Sequence, residues 1–365
     1  MHQSSPEQPV NLLEYEILAR ERLPKMFYDY YAGGSDAEIT LSENRMAFER
    51  LQLLPRFLVD VSMRNLSTTV LGQSIDFPFL IAPTAFHRLA TPEGELATAK
   101  AAADANTIMI LSSLSNTPLE EVSAVTDSPL WFQLYVYKDR GLTRAIVERA
   151  EAAGYSALCL TIDAPLLGRR ERDIRNQFNL PPELTLANVL HTAGERMQGV
   201  AQASALSKYF AELLDQSLTW DAVEWLQGIT RLPVLLKGIH HPKDAELAVE
   251  RGVPAIVVSN HGARQLDTVP ATIDLLPNIV KATEGRTELL IDGGFRRGTD
   301  ILKGLALGAR AVLIGRPILW GLAVDGKSGV TRVLDLLANE LSTSMALSGV
   351  TNPQHIPADL IFRPG

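Results

Sequence analysis

The feature that most constrains this chain is an eightfold alternation of short apolar runs with segments of helical periodicity. The apolar runs cover residues 79–82, 108–111, 131–135, 157–161, 233–236, 255–259, 288–292 and 311–314. Most of the gaps between them carry helical periodicity, at 93–105, 142–153, 242–251 and 298–307. Strands that alternate with helices form βαβ units, and such units build a parallel sheet. Eight of them predict the α/β fold class in the form of a closed (β/α)8 TIM barrel.

A doubly wound open sheet is the competing fold, because it uses the same alternation. No GxGxxG sequence follows the first apolar run, which counts against the dinucleotide site of such sheets. Gly154, Gly252 and Gly308 follow three helical segments, where left-handed helix caps are expected. The 365 residues would suffice for two domains, but barrels reach this length as one. We therefore predict a single barrel domain over residues 1–365.

Two stretches lie outside the alternation. Residues 1–78 form an N-terminal lead-in, with a helix over 11–31 that Pro24 divides and with short β-like pieces over 56–77. Residues 164–218, after the fourth apolar run, form a long insertion that contains two adjacent prolines. Because loops of this length are often lids over a site, we interpret the insertion as a lid loop. A closing helix is predicted over 330–346.

Composition argues against several functional classes. The net charge is −8 and the Lys and Arg residues form no block, so no nucleic acid partner is expected. No apolar run approaches the roughly 18 residues that span a bilayer. The first ten residues lack the pattern of a signal peptide, so we expect no membrane association and a cytoplasmic location. Cys159 lies inside an apolar run and is expected to pack as a small hydrophobe, and no metal site is expected.

Polar side chains follow or end every apolar run. They are Thr84, Ser112, Gln133 with Tyr135, Thr161 with Asp163, Lys237, Ser259 with His261, Asp292, and Gly315 with Arg316. In a barrel, the carboxyl ends of the strands meet at one rim, where the chemistry takes place. A single polar strand end has a simple structural explanation. Eight together favour a ring of hydrogen-bonding groups around a flat, polar ligand.

The stretch 256–267 carries the best candidate for acid–base chemistry. His261 follows a buried apolar run, and an imidazole has an ordinary pKa near 6.5. Arg264, three residues later, offers a planar fork for a carboxylate or phosphate. The alternative is a capped strand end with a histidine and an arginine on the surface.

The last two apolar runs are followed by candidate anion sites. Gly293, Gly294 and Arg296 come after one run, and Gly315 with Arg316 comes after the other, at the start of a predicted helix. Glycine backbone N–H groups and helix N-termini bind phosphate, and barrels commonly place phosphate after strands seven and eight. The alternative is that the glycines only form turns. A flat ring anchored by a phosphate indicates FMN.

Lys237 ends the fifth run and fits the same interpretation. A permanent cation beside the pyrimidine edge of a flavin stabilises the anionic reduced ring. The alternative is a Schiff-base lysine, as in aldolase-type barrels. That alternative leaves the glutamine, threonine and serine strand ends without a role.

From Tyr30 to Gly349 the chain resembles the FMN-dependent α-hydroxy-acid oxidases. The matching pieces are PKMFYDYYAGG, IAPTA, FQLYVYKDR, LTIDAPLLGRRERD, LLKG, VVSNHGARQLD, DGGFRRGTD and IGRP. The resemblance implies FMN contacts from Ala82, Pro83, Thr84, Ala85, Ser112, Gln133, Tyr135, Thr161, Lys237, Ser259, Asp292, Gly293, Gly294, Arg296, Gly315 and Arg316. It implies substrate contacts from Tyr30, Tyr135, Arg170, Arg264, Leu114 and Phe210. His261 is then the base, Asp163 orients it, and Tyr135 and Arg264 complete the catalytic set.

The pocket wall departs from the plant glycolate oxidases, which carry tryptophan after the Ser-Ser pair. Leu114 stands there in this chain, with Phe210 in the lid loop, a combination that resembles cyanobacterial L-lactate oxidases. Leucine in place of tryptophan makes room for a methyl group. We therefore expect oxidation of L-lactate to pyruvate ahead of glycolate to glyoxylate, with O2 reduced to H2O2.

Other functions are also compatible with the sequence. They are glycolate oxidase as the main activity, a quinone- or cytochrome-coupled dehydrogenase, an FMN barrel isomerase, and a non-catalytic flavin-binding module. The charged residues of the lid loop, among them Glu195 and Lys208, do not suit a membrane segment, which favours an oxidase. The resemblance also implies a homo-oligomer, either a tetramer or an octamer.

Overall fold

The N-terminal lead-in is built from three helices and three short strands. The computed structural model describes residues 8–189 and 212–363. In chain order the lead-in contains α1 (Leu12–Arg22), α2 (Lys25–Ala32), α3 (Ile39–Arg50), β1 (Gln52–Leu53), β2 (Thr68–Val70) and β3 (Gln73–Ile75). Pro24 separates α1 from α2, which confirms the predicted division of the first helix. The sequence analysis did not predict α3, which packs against the candidate active site.

Eight parallel strands close into a barrel. They are β4 (Phe79–Ile81), β5 (Met109–Ser112), β6 (Leu130–Leu134), β7 (Ala157–Thr161), β8 (Val234–Ile239), β9 (Ala255–Val258), β10 (Glu288–Ile291) and β11 (Ala311–Ile314). Neighbours in the barrel are neighbours in the chain, and β11 pairs with β4 to close the ring. All eight strands coincide with the predicted apolar runs to within about three residues at each end. The closed (β/α)8 barrel is confirmed, and the open sheet is excluded.

Helices cover the outside of the barrel. They are α4 (Gly94–Asp104), α5 (Leu119–Ser123), α6 (Arg140–Ala152), α7 (Glu171–Arg175), α8 (Asp221–Ile229), α9 (Pro242–Glu250), α10 (Thr272–Thr283), α11 (Gly298–Ala306) and α12 (Arg316–Leu347). A final short strand, β12 (Ile361–Phe362), pairs with β1. Gly154, Gly252 and Gly308 have the expected positive φ after α6, α9 and α11. The predicted closing helix is the second part of α12.

The barrel interior is filled by alternate residues of the strands. Leu80, Ile110, Trp131, Cys159 and Val257 belong to this interior cluster, whereas the other strand faces pack against the helices. Cys159 is fully buried, and burial raises the pKa of its thiol to about 12. A thiol with so high a pKa is unreactive at neutral pH, as expected for a packing residue.

The two parts of α12 meet at a break and fold against each other. Asp325 and Gly326 have non-helical backbone angles. On either side of the break, Gly321 and Gly329 approach so closely that a Cβ on Gly329 would lie 1.9 Å from the carbonyl oxygen of Gly321. A methyl group therefore has no space at this crossing.

Replacing Gly329 with alanine is expected to destabilise the protein by about 1–3 kcal/mol, the usual cost of overpacking a tight contact. Gly228 in α8 is the matched control, because a Cβ there meets no atom within 4 Å. Gly228→Ala is expected to be neutral or to stabilise by about 0.5–1 kcal/mol, since alanine is the better helix former. Chemical denaturation of both variants measures the difference. Equal stability of the two would contradict the close approach of the two glycines.

Candidate active site

One cavity at the carboxyl ends of the barrel strands collects nearly all of the predicted site residues. Those that line it are Tyr30, Ala82, Pro83, Thr84, Ala85, Ser112, Leu114, Gln133, Tyr135, Thr161, Arg170, Lys237, His261, Arg264, Asp292, Gly293, Gly294, Arg296, Gly315 and Arg316. They come from the lead-in, the barrel strands and the lid loop. The fold therefore brings together residues that are up to 286 positions apart in the sequence, from Tyr30 to Arg316.

His261 and Asp163 form a partly buried hydrogen-bonded pair. The Nδ1 atom of His261 lies 2.8 Å from Oδ1 of Asp163. Burial lowers the pKa of His261 below its usual 6.5, although the Asp163 carboxylate acts in the opposite direction. Burial raises the pKa of Asp163, but its interactions with His261, including the hydrogen bond, and with the Lys237 cation outweigh burial, and the net pKa is lowered. A neutral imidazole that donates Nδ1–H to a carboxylate presents Nε2 as a proton acceptor, which is the arrangement of a general base.

Lys237 carries its charge inside the barrel mouth. Its Nζ atom lies 2.9 Å from Oδ2 of Asp292 and donates to Oγ of Ser259 at 2.7 Å. Burial lowers the pKa of Lys237, but the carboxylates of Asp292 and Asp163 outweigh burial, and the net pKa is raised. A Schiff-base lysine needs a lowered pKa. The pairing with Asp292 therefore argues against the aldolase-type alternative and supports a fixed cation.

In the side-chain amide of Gln133, the oxygen is hydrogen-bonded within the protein, whereas the NH2 group is available to a ligand. Its Oε1 atom accepts from Ser112 Oγ at 3.2 Å and from the N–H of Ser113 at 3.2 Å. Among the residues that the structure describes, its buried Nε2 atom has no hydrogen-bond partner, and the same holds for Oδ1 of Asp292. Because buried polar groups are normally paired, these two atoms indicate a ligand that offers both acceptors and a donor. A flat heterocycle with carbonyl and N–H groups fits this demand.

The cavity carries a surplus of positive charge. The described residues that line it include Arg170, Lys237, Arg264, Arg296 and Arg316 but only one carboxylate, that of Asp292. Burial and the neighbouring guanidiniums lower the pKa of Arg316 to about 9 and that of Arg170 to about 10. Both values leave the groups charged at neutral pH. Buried cations that repel one another favour the binding of anionic ligands.

The end of α2 holds two of these arginines in place. Arg264 Nη1 donates to the carbonyl oxygens of Tyr30 and Gly33, at 2.5 and 3.0 Å. Arg316 donates to the carbonyl oxygens of Tyr31 and Gly33, each at 2.8 Å. The carbonyl groups at a helix C-terminus carry partial negative charge, so they stabilise the two cations before any ligand binds.

Tyr30 lies at the centre of an aromatic and cationic stack. Its ring stacks on Phe178 with centroids 4.2 Å apart and lies 5.5 Å from the ring of Phe86. The guanidinium of Arg264 lies 4.8 Å from the centroid of the Tyr30 ring. Burial raises the pKa of Tyr30 and of Tyr135, so both phenols are neutral hydrogen-bond donors. Phe178 belongs to the lid loop, so this stack attaches the first part of that loop to the site.

Some predicted residues lie behind the cavity or outside the described residues. Ser259 is fully buried and is not among the lining residues; its Oγ atom accepts from Lys237 Nζ and from the N–H of His261 at 3.1 Å. Its predicted contact with the cofactor stays a prediction. Asp163 likewise is not among the lining residues and contacts His261. Phe210 lies outside the residues that the structure describes.

The sequence analysis missed a second group of residues. Tyr31, Gly262, Phe295, Leu313 and Leu319 also line the cavity. His87 supports Thr84 from behind, with Nε2 2.6 Å from Thr84 Oγ1 and Nδ1 2.9 Å from Thr98 Oγ1. The inward position of Leu313 follows from strand alternation, which is a signal that the sequence does contain. Tyr31 and Leu319 lie in helices and Gly262 and Phe295 lie in loops, and strand alternation predicts none of these positions.

Comparison with known proteins agrees with this geometry. The family model described as FMN-dependent dehydrogenase matches residues 19–363. The chain belongs to the FMN-dependent dehydrogenase family. It is 58% identical to the L-lactate oxidase of Nostoc sp., over 97% of this chain and 98% of that protein. It is 54% identical to glycolate oxidase 3 of Oryza sativa subsp. indica, over 94% and 93% of the two chains.

Solved structures of the FMN-dependent dehydrogenase family show the same architecture. A structure of mandelate oxidase with (S)-4-hydroxymandelic acid superposes with a TM-score of 0.91 at 43% identity and covers 97% of this chain and 98% of that chain. A structure of mandelate oxidase with benzoyl-formic acid has a TM-score of 0.87 at 42% identity and covers 97% and 98%. The resemblance inferred from the sequence is thereby confirmed.

The cofactor of this FMN-dependent dehydrogenase is FMN. The unpartnered Nε2 of Gln133 and Oδ1 of Asp292 fit a ring with acceptors and a donor, and the surplus of cations fits its phosphate. Family membership also supports oxidation of a 2-hydroxy acid as the reaction. Within residues 8–189 and 212–363, no helix is long and apolar enough to cross a bilayer. The cytoplasmic location stays a prediction.

The rate of the enzyme is expected to depend on the neutral form of His261. Activity is present above the pKa of His261 and is lost as the pH falls through it, so kcat/KM should fall with an inflection below pH 6.5. Asp163→Asn removes a charge that raises this pKa, so the inflection should move further down. The same variant should lose a factor on the order of 10²–10⁴ in rate, because it removes the group that orients the imidazole.

His261→Gln is the reference variant for this profile. It should keep bound FMN, lose on the order of 10²–10⁴ in rate, and show no inflection. Stopped-flow measurement of cofactor bleaching across the pH range gives all three profiles. Full activity of His261→Gln would remove His261 as the base.

Proposed function

We propose that this enzyme oxidises L-lactate to pyruvate and passes the two electrons to O2, which gives H2O2. The overall reaction balances as one 2-hydroxy acid and one O2 to one 2-oxo acid and one H2O2. The observation that carries the proposal is that the His261–Asp163 pair and the guanidiniums of Arg170 and Arg264 meet at one cavity. A base beside two carboxylate-binding cations is what a 2-hydroxy acid requires.

The carboxylate of the substrate binds to Arg170 and Arg264. Arg170 is buried, and its Nε atom donates to the backbone carbonyl of Arg264 at 3.3 Å, so the two side chains converge. Tyr30 adds a neutral phenol donor beside them. A substrate held at one end by fixed, charged donors keeps its reacting carbon in one orientation.

His261 accepts the proton that the oxidation releases. Its Nε2 atom is the accepting position, since Nδ1–H is bonded to Asp163. The imidazolium that forms is stabilised by the adjacent Asp163 carboxylate. Tyr135, whose phenol stays neutral, donates to the hydroxyl oxygen of the substrate. When bound, FMN supplies the two-electron acceptor for this oxidation.

The predicted cofactor residues divide by chemistry. Gln133, Ser112, Thr161 and Thr84 offer neutral hydrogen bonds to the ring, and Lys237 offers the cation at its pyrimidine edge. The backbone of Ala82, Pro83 and Ala85 lines the same cavity. The phosphate is held by Gly293, Gly294, Arg296, Gly315 and Arg316. These five residues lie just before α11 or at the start of α12, where helix N-termini favour an anion.

Leu114 supports L-lactate over glycolate. It lines the cavity directly after Ser112 and Ser113 and is buried. A leucine leaves more room than a tryptophan for the methyl group by which lactate exceeds glycolate. The L-lactate oxidase of Nostoc sp. is also more similar to this chain than the glycolate oxidase of Oryza sativa is. Glycolate is then a secondary substrate. Glycolate oxidase as the main activity and a quinone- or cytochrome-coupled dehydrogenase are the alternatives.

Purified protein should be yellow, bleach under anaerobic L-lactate and release H2O2 steadily in air. Its kcat/KM should be higher for L-lactate than for glycolate by about 10-fold or more, since one methyl contact is worth about 1–3 kcal/mol. Bleaching without peroxide would favour the dehydrogenase, and a preference for glycolate would refute the substrate assignment. Absence of bleaching with either acid would leave only flavin binding.

The matched variant Leu114→Trp should reverse this preference. The larger ring fills the space for the methyl group, so kcat/KM for L-lactate should fall by about 10–200-fold relative to that for glycolate. Leu114→Met is the control, because it conserves the volume and should change the ratio little. The ratio of kcat/KM for the two acids is the readout in both variants.

We also propose that the enzyme is a homo-oligomer, either a tetramer or an octamer. The loop after β1 exposes Leu54, Phe57, Leu58 and Met63, with 78% of Phe57 and 83% of Met63 accessible. Clusters of large exposed apolar side chains mark interaction surfaces on soluble proteins. This cluster supports contact with a second copy of the chain.

Light scattering is expected to give four or eight times the chain mass of 39.9 kDa. Phe57→Ser combined with Met63→Ser should lower that mass, because the exposed apolar area is reduced. Ile17→Ser is the control: that isoleucine is 58% accessible but lies on a different element, α1. A monomer in the unmodified protein would refute the proposal.

A further inference from the structure

Two loops of the site rest on the same turn of a lead-in helix. The catalytic loop (residues 259–268) carries His261 and Arg264, and the anion loop (residues 292–298) carries Gly294 and Arg296. The catalytic loop contacts Asn44 of α3, and the anion loop contacts Asn44 and Arg45. This helix lies more than 200 residues away from both loops in the chain. One helical turn therefore supports both the proposed base and the proposed phosphate site.

The catalytic loop has a backbone that requires support. His261 and Ala263 have φ angles of 55° and 62°, in the left-handed region that side chains with a Cβ rarely adopt. Such residues persist only where surrounding contacts impose the conformation. The lead-in provides several such contacts: the N–H of Ser35 donates to the carbonyl of Ala263 at 2.9 Å, and the N–H of Thr40 donates to Asp267 at 2.8 Å.

Asn44 fixes the residue that precedes His261. The side-chain amides of Asn44 and Asn260 exchange two hydrogen bonds, of 2.9 and 2.8 Å, and both residues are 2% exposed. Asn260 Oδ1 also accepts from the N–H of Ala263 at 3.2 Å, and its carbonyl accepts from the same N–H at 2.8 Å. Asn260 therefore closes the turn around His261, and Asn44 sets the orientation of the Asn260 amide.

The same helical turn holds the anion loop. A Cβ on Gly294 would lie 1.9 Å from the carbonyl oxygen of Asn44, so the loop backbone packs directly on α3. Arg45 donates to the carbonyl of Gly294 and pairs with Asp300 at 2.9 Å. Asp300 in turn accepts from the N–H of Arg296 at 2.9 Å. The position of the anion loop thus depends on α3 as well.

We propose that Asn44 is a positioning residue that couples the catalytic loop to the anion loop through the Asn44–Asn260 amide pair. It touches neither substrate nor cofactor; it acts through Asn260 on His261 and through its backbone on Gly294. The inference rests on the proposed role of His261 as the base. It assigns a function to a lead-in helix that lies outside the barrel strands.

The variant Asn44→Ala tests the coupling in the holoenzyme. Without the amide pair, FMN should dissociate about tenfold more readily, the effect expected for one lost hydrogen bond between supporting groups. FMN fluorescence on dilution measures this without any substrate. The His261 imidazole should titrate nearer its ordinary range, as read by NMR with His261→Gln for assignment. The value of kcat should fall on the order of 10²-fold, the cost of a small misplacement of a catalytic group.

Two further variants separate positioning from general destabilisation. Ala47→Gly weakens the same helix at a fully buried position but leaves the amide pair intact. It should lower the melting temperature while FMN release and the His261 titration stay near those of the unmodified enzyme. Asn44→Asp keeps an acceptor for Asn260 Nδ2 but places a carboxylate oxygen against Asn260 Oδ1, so its effects should be at least as large as those of Asn44→Ala. If Ala47→Gly reproduces both changes of Asn44→Ala, the proposal is overturned.

A double-mutant cycle with Asn260→Ala provides the quantitative test. The effects of Asn44→Ala and Asn260→Ala on FMN release should be strongly non-additive, because either change removes the same pair. Additive effects would overturn the coupling. Because FMN release and the titration need no substrate, an enzyme that binds FMN but oxidises no 2-hydroxy acid would refute the proposed function without deciding the coupling result.

Discussion

The closure of eight parallel strands is the constraint on which the site depends. Since every strand runs in the same direction, the carboxyl ends all reach one rim. The register then sets which polar residues are neighbours: Ser112 lies opposite Gln133, and Thr161 lies opposite Lys237. A shift of one residue in a strand would turn its polar end toward the helices. The packed interior, which includes Trp131, fixes that register from below. The positions of the side chains at the rim therefore depend on the packing of the barrel core.

The balance of charge at this rim determines what binds there. Lys237 is paired with Asp292, and His261 is paired with Asp163. Each of these two side chains therefore has a carboxylate partner within the protein. Among the described lining residues, the arginines have no comparable carboxylate partners, and two of them rely on the carbonyl groups at the end of α2. Partial charges on carbonyls compensate a guanidinium less completely than a full anion does. In the proposed function this surplus of cations binds two anions, a phosphate and a carboxylate, while the proposed base His261 is neutral.

Sequence reasoning was most successful where a residue's position follows from strand periodicity. Lys237 and Thr161 lie at strand ends, and their place at the rim follows from the alternation alone. The pairing of Asp163 with His261 was predicted from the family resemblance, and the structure places the two atoms 2.8 Å apart. The role of Asn44 was not predictable, since its contact with Asn260 spans 216 residues and no periodicity links the two. Ser259 shows the limit at a strand end: the sequence places it near the rim, but the backbone turn directs its hydroxyl to Lys237.

The carboxylate end and the hydrocarbon end of the cavity are supported in different ways. At the carboxylate end, Tyr30 is stacked on Phe178 and lies against Arg264, so three parts of the chain fix one position. At the other end the wall depends on single side chains such as Leu114. Similar proteins are named L-lactate oxidase, glycolate oxidase and mandelate oxidase. The acids in these names share a hydroxyl group and a carboxylate, and they differ in the other group on the carbon that carries the hydroxyl. A rigid carboxylate end combined with a variable wall at the hydrocarbon end accounts for this pattern. Substitutions at the wall change the free energy of binding one group, whereas substitutions at the stack disturb the geometry on which every substrate of this class depends.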